Sequence, residues 1–487
     1  MRRLLLLVLL LSLTVAAQGQ AQRALTLEQS IELAQSSSPA AEIARLTFDR
    51  SFWGFRSFRA QYMPSLSLSG DAPGLQRSFQ NILTPDGTVD YVERNATFGR
   101  ANLSIDQPIP VTGGRVSLTS GLSRLNNSVA GDDVTQWSSS PLVVTLFQPL
   151  RQFNEMKWTR RTEPLRYEVA RRSYAEDLED IAIDITTRFF AVYIAQIDRD
   201  IAAFNAAVND TIFTLSQGRF EIGAIAENDL LQSELALLNA QSAQSRAEIA
   251  YQQALQDLKL ALDLPYDTDL TIIPPTAVPP LTVDADEAVV QARRHRPAFV
   301  NLDLEAVEAE RELARAKRNS GFSANLLASY GLNQRSDAFG NVYNDPLNQQ
   351  QFSINFSVPV FRWGLGRANV EEAVARQQQV ERDAAVQRKE LDQEVYFEAL
   401  QLQQLQQQVL IDAKADTVAA RRFDVAKNRY IIGKIDITEL FNAQREKDTA
   451  RQGYIRSLQQ FWTVHFNLRR LTLYDFIRQE PLRAPLN

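Results

Sequence analysis

The sequence predicts a mostly helical, internally duplicated chain that also carries membrane-type β-strands. Three observations predict it. The stretch RFEIGAIAENDLL at 219–231 returns 210 residues later as RYIIGKIDITELF at 429–441. Between long helical stretches lie short segments that alternate apolar residues with Ser, Asn and Thr, such as SLSLSG at 65–70 and FSINFSVPV at 352–360. The chain also opens on an apolar leader, MRRLLLLVLLLSLTVAAQGQAQ.

The leader reads as a secretory signal peptide over 1–21. Arg2 and Arg3 precede an apolar run, and small residues offer cleavage after Ala17 or Ala21. Its roughly 12 apolar residues fall short of the ~20 that a spanning helix needs. No Cys stands at the cut to carry a lipid. A first helix is expected over 22–64, with Thr26 as N-cap and a break where Pro39 disfavours helix at Ser38. Alternation then marks strands over 65–150, at 65–70, 102–107, 114–124 and 142–148, with long polar connections after the first and third. Over 151–264 a long helix from about Pro164 turns at Gly223 and returns. Leu178, Ile185, Phe189 and Val192 form its stripe, and Tyr251, Leu255, Leu258 and Leu262 that of the return helix. A Pro-rich linker fills 265–284.

The order then repeats. A helix occupies 285–320, with Arg296-Pro297 in the place of Ser38-Pro39. A hairpin fills 321–361. A long helix, the corner at Gly433 and a return helix fill 362–475, with Leu391, Val395, Leu402, Leu405 and Val409 as the stripe. A tail closes 476–487. At ~1.5 Å per residue the long helices measure about 80–95 Å.

Composition excludes several classes of function. Cysteine is absent, so disulfides, thiolate metal sites and a Cys nucleophile are ruled out. The net charge of −6, or −8 once Arg2 and Arg3 leave with the leader, argues against a nucleic-acid partner. No Ser-His-Asp, metal or phosphate constellation has supportive spacing, so neither an enzyme nor a cofactor is expected. GLGRAN at 364–369 lacks the third Gly of a dinucleotide fingerprint and reads as a tight strand-to-helix turn. His295, beside Arg293 and Arg294, reads as a solvated cation at a helix end. His465 reads as a helix-packing residue, and QLQQLQQQ at 401–408 as a solvated or lumen-facing helix surface.

Strands with one apolar and one uncharged polar face, near the ~9–11 residues of a membrane strand, fit an outer-membrane sheet. Phe147, Phe153, Trp158, Phe361 and Trp363 are candidates for an interfacial aromatic girdle. Even strand numbers in each half return the helices to one side. Six strands are too few to close a useful barrel, and open edges cannot face lipid, so several chains must pool strands. The alternative is a non-transporting periplasmic coiled-coil scaffold with β-insertions.

At this point the chain resembles the TolC-type outer-membrane efflux family. The resemblance rests on the paired corners RFEIG and RYIIG, each with an acid-Leu pair six residues past the Gly. LTLEQSIELAQSSSPAAEIA near the start and the joint VPVFRWGLGRANVEEA add to it. It implies a homotrimer in which an outer-membrane β-barrel continues into a long periplasmic α-helical barrel. It further implies a passive conduit of a tripartite efflux or secretion system, with outer-membrane lipid, a periplasmic adaptor protein and, through it, an inner-membrane pump as partners. Ile222, Gly223, Ala224, Ile432, Gly433 and Lys434 match the adaptor-docking corners. Asp229, Tyr430, Glu439 and Asn442 match positions of the periplasmic gate. The chain departs from the family in three ways. Asn442 stands where an Asp is common, and Ile435 where well-described members carry Arg. The first half also carries an extra hairpin, which the sequence leaves inside or outside the barrel.

Overall fold

The computed structural model describes residues 23–129 and 132–483. The expected leader, 1–21, and the last four residues of the expected tail lie outside them. The described chain forms two compact units. Of the described residues, one is drawn from 23–49, 170–299 and 388–483, the other from 50–169 and 300–387.

In the first unit, β1 (Arg23–Thr26) pairs in parallel with β6 (Leu270–Ile273), in the register Arg23↔Leu270, and so ties the start of one repeat to the joint before the next. Thr26 then opens α1 (Leu27–Ser37) with a capping box. The Gln29 N–H donates to its Oγ1, and its own N–H donates to Gln29 Oε1. Ser38 is extended, at ψ 154°, because Pro39 follows it. Its Oγ accepts the Ala41 N–H and starts α2 (Pro39–Ala60). The second repeat makes the same break at Arg296, between α5 (Ala285–His295), capped by Asp284, and α6 (Pro297–Asn319).

Four helices carry the core: α3 (Glu155–Glu221), α4 (Glu227–Ala261), α7 (Leu365–Ile431) and α8 (Ile437–Thr472). The stripes read from sequence converge on it. Ile185, Phe189, Leu258, Leu262, Val395, Leu402, Leu458 and Phe461 are each at most 2% exposed and belong to one cluster. The Gln-rich run is not simply solvated. Gln403 and Gln406 donate to the carbonyls of Val283 and Pro279, so part of that face holds the linker down. A short pair, β9 (Tyr474–Asp475) with β10 (Glu480–Pro481), follows α8.

His295 corrects its sequence reading. It is half-buried, and burial with Arg172, Arg294 and Arg483 around it lowers its pKa, so at neutral pH it is uncharged. His465 is buried among Phe461, Trp462 and Phe466.

The second unit holds one antiparallel six-stranded sheet in the order β2-β3-β4-β5-β7-β8, formed by β2 (Ser65–Leu83), β3 (Val89–Ile109), β4 (Gly114–Val129), β5 (Asp132–Pro149), β7 (Ser323–Ser336) and β8 (Leu347–Ser357). The extra hairpin, β4 and β5, is thus inside the sheet. Its register runs an apolar row, Leu66–Ile105–Leu118–Val144–Tyr330, across five strands on one face. Phe352, Ile354 and Phe356 continue that face on β8 and are exposed. The other face carries Ser65–Asp106–Ser117–Thr145–Ser329–Gln351. Its side chains bond to one another: the Ser67 and Ser104 hydroxyls lie 2.8 Å apart, and Ser117 donates to Asp106.

Several boundaries differ from the sequence reading. β2 and β3 run far beyond their alternating cores, so the expected long loop is a hairpin whose arms pair to Leu83↔Val89. Outside the alternating segments Leu75, Phe79, Leu83, Val89 and Tyr91 share one exposed face, but Arg77, Asn81, Glu93 and Asn95 interrupt it, so no clean alternation marks these arms. β8 stops before Pro359, which has no N–H to donate. α3 begins at Glu155 rather than near Pro164, because Asn154 caps it by accepting the Lys157 N–H, and Arg311 and Arg315 of α6 hold the Glu155 carboxylate at 2.6 Å. Of the proposed girdle, Phe361 and Trp363 are exposed and packed edge to face. Phe153 and Trp158 instead sit under Arg315 and Arg161.

His465 sets a pH dependence. Burial first, then Arg469, push its pKa down to about 4, against a smaller opposing effect of Asp475. Between pH ~6.5 and ~4 the unfolded chain binds a proton at this position that the folded chain refuses. Stability therefore falls as pH drops through that window, by up to about 3 kcal/mol below it. Replacing His465 with Phe should flatten the acid limb of the melting temperature of detergent-solubilised protein. An acid limb unchanged from wild type would show that His465 does not titrate in this way.

Candidate functional site

The two helix reversals of the first unit share one backbone design. Gly223 follows α3 with φ +70°, and Gly433 follows α7 with φ +73°. In the first, the Gly223 N–H donates to the Phe220 carbonyl and the Ala224 N–H to that of Arg219. In the second, Gly433 donates to Tyr430 and Lys434 to Arg429. This pair of bonds around a left-handed Gly is the Schellman stop, which satisfies two carbonyls that the helix end leaves open. A Cβ on Gly223 would meet nothing within 4 Å, and one on Gly433 only Arg219 Nη2 at 4.0 Å. The demand for Gly is therefore one of backbone conformation, not of space.

Three residues later the return helices begin, and here the repeats part. Asp436 is the N-cap of α8 and accepts the Glu439 N–H at 2.7 Å. Ala226, in the same place before α4, has no side chain with which to cap. Capping at the second corner thus belongs to Asp436, which the sequence reading passed over. The Glu439 carboxylate is exposed and makes no hydrogen bond or ion pair among the described residues. Asn442 is exposed one turn on and accepts from Arg445. Asp229 is half-buried in the first turn of α4.

Tyr430 is buried, and its hydroxyl meets Ser216 Oγ at 3.3 Å. No hydrogen bond joins it to Asp229 among the described residues. Its ring lies under Arg219, whose Nη2 donates to the carbonyls of Tyr430 at 3.3 Å and Ile431 at 3.0 Å. An Arg from the first corner thus caps the C-terminus of the helix at the second, where the helix dipole favours a cation. Around it Val208 and Ile212 of α3, Phe423, Ala426 and Tyr430 of α7, and Ile437, Leu440 and Ala443 of α8 form a second apolar cluster. Arg219 opened the repeated motif in the sequence, but its targets are backbone carbonyls of a distant helix, which carry no sequence signal. Ile222, Ala224, Ile432 and Lys434 are exposed around the two Gly residues.

The fold is shared with solved structures of outer-membrane channels. The chain superposes on the Campylobacter jejuni CmeC outer membrane channel with TM-score 0.65 at 14% identity, covering 92% of this chain and 85% of that one. The Vibrio cholerae outer membrane protein VceC gives 0.63 at 12% identity, with 92% and 95% covered. The open state of the Neisseria gonorrhoeae MtrE outer membrane channel gives 0.59 at 15% identity, with 92% and 88% covered. No curated protein sequence matches. The outer membrane efflux protein family model matches residues 92–263 and 289–472, one segment in each repeat, and the chain belongs to that family.

The corners make reciprocal predictions. Asp436→Ala should loosen the first turn of α8 by about 1 kcal/mol, and Ala226→Asp should tighten that of α4 by a similar amount. Gly433→Val should cost about 1–2 kcal/mol or more from its left-handed φ alone. Amide hydrogen exchange at the return-helix first turns measures the caps. Equal exchange in wild type and Asp436→Ala would overturn that cap, and a Gly433→Val variant as stable as wild type would overturn the left-handed stop.

Proposed function

We propose that this outer-membrane efflux channel is the homotrimeric channel-tunnel of a tripartite export system, passing cargo delivered by an inner-membrane pump and a periplasmic adaptor. The observation that carries this reading is the open six-stranded sheet, apolar on one face and polar on the other, with β2 and β8 paired on one side only among the described residues. Such edges are not tolerated in lipid. Three copies would pool eighteen strands into a closed barrel, its apolar face toward outer-membrane lipid and its Ser, Thr and Asn face toward a wet lumen. Family membership supports the export role, and the paired glycine corners are the natural seats for the adaptor. The non-transporting scaffold has no use for an exposed apolar sheet face.

Two outcomes are expected. Detergent-purified protein should run as a heat-modifiable trimer by native mass spectrometry, and a stable, soluble monomer would sink the assembly. In planar bilayers the channel should prefer cations and be blocked by a multivalent cation added from the periplasmic side, because three exposed Glu439 carboxylates would crowd one axis. Glu439→Gln should weaken that block. Equal block in both proteins would remove Glu439 from the gate.

A further inference from the structure

The duplication lets one interface be read from another. Inside the chain, the end of α3 packs on the ends of α7 and α8 through Val208, Ile212, Leu215 and Arg219. Moving each α3 residue 210 positions along gives Val418, Arg422, Val425 and Arg429 on α7. Val208 is 9% exposed, whereas Val418 is 54% exposed and Val425 58%. The receiving side behaves likewise. Tyr430 is 5% exposed under Arg219, whereas its counterpart Phe220 is 40% exposed. Phe423 and Leu440 are buried, whereas Phe213 and Leu230 are half-buried. One chain therefore presents both halves of a contact that it makes only once.

From this we infer that α7 of one copy docks on the ends of α3 and α4 of a second copy in the register of the internal contact, with Arg429 capping the neighbour's α3. In that register the guanidinium of Arg429 donates to the neighbour's Phe220 and Glu221 carbonyls and covers the Phe220 ring. The acceptor improves on the internal template, because Glu221 replaces Ile431 and adds a carboxylate beside the incoming cation. One position departs from the template. Ile212 is matched by Arg422, which pairs with Glu446 on α8 of its own chain. The contact is head-to-tail, since the donor face on α7 and the acceptor face on α3 differ, and it builds a ring when the rotation between copies closes. This inference rests on the trimer proposed above and adds its register and a specific tie at the helix corners.

The chain has no Cys, so an engineered pair reports the contact without background. Phe220→Cys with Val425→Cys uses two exposed positions whose internal counterparts, Tyr430 and Leu215, line one groove. A bis-maleimide added to this variant should give covalent dimers and trimers on a denaturing gel. Adding Arg429→Gln should slow linking about tenfold, the value of a charged hydrogen bond of ~1.5 kcal/mol. Native mass spectrometry of the same samples separates the outcomes. An intact trimer that never links between chains overturns the register while the trimer stands. Linking that ignores Arg429→Gln overturns the cap. A monomer overturns the assembly and this contact with it.

Discussion

Backbone hydrogen bonding at two strand edges governs the rest of this molecule. The six strands pair along their internal ladders apart from three register shifts, but among the described residues β2 and β8 each pair on one side only. In water such edges are a liability that charges or bulges can manage. In hydrocarbon they are forbidden, because each unpaired N–H or carbonyl there costs several kcal/mol. The sheet also exposes Leu66, Leu68, Phe352 and Phe356, so its apolar face has no protein cover among the described residues. A single copy is thus unfinished in two directions, along its strand edges and over its apolar face. The duplication follows from the same demand. Four strands in the first half and two in the second both return the chain to the side from which it came, so each long helix starts where the other does.

The helix corners answer a different electrostatic demand. A helix of 67 residues ends with carbonyls that have no helical partner and with the negative pole of its dipole. The Schellman stop at each Gly satisfies two of these carbonyls, and Arg219 reaches those of Tyr430 and Ile431 from the other repeat. Stability at the corner is therefore shared between repeats rather than held within one hairpin. The asymmetry between Asp436, which caps, and Ala226, which does not, leaves the first corner the more weakly held of the two. A gate or docking site that must move draws on elements of this low local stability.

What was legible in the sequence was whatever chemistry restricts to one residue type. Gly223 and Gly433 stood out because only Gly takes a left-handed φ cheaply, and Ser38-Pro39 and Arg296-Pro297 because Pro constrains its predecessor. The helix stripes were legible because the buried face repeats on the helical period. Strand length was not. Alternation records only the part of a strand with one unbroken apolar face, and in the outer arms of β2 and β3 Arg77, Asn81, Glu93 and Asn95 break the row of Leu75, Phe79, Leu83, Val89 and Tyr91. Pro164 misled for a related reason: proline is at home in a helix's first turn, but here Asn154 and the Arg311 and Arg315 bridges start the helix earlier.

The candidate site was legible in its positions and not in its bonds. Tyr430 was singled out as a gate residue, and the structure gives it Ser216 and Arg219 as partners. Neither partner could be chosen from sequence, since Ser216 is an ordinary helix residue and Arg219 acts on carbonyls. The repeat supplies what spacing alone does not. Where two equivalent segments differ in exposure, the difference marks a face still waiting for its partner. Tyr430 and Phe220 share a motif, a helix end and a neighbouring Arg, yet one is 5% exposed and the other 40%. No property of either residue explains that difference. It follows from the chain containing one end-to-side contact between two repeats, which leaves one donor and one acceptor over. A ring of copies is the arrangement in which none is left over.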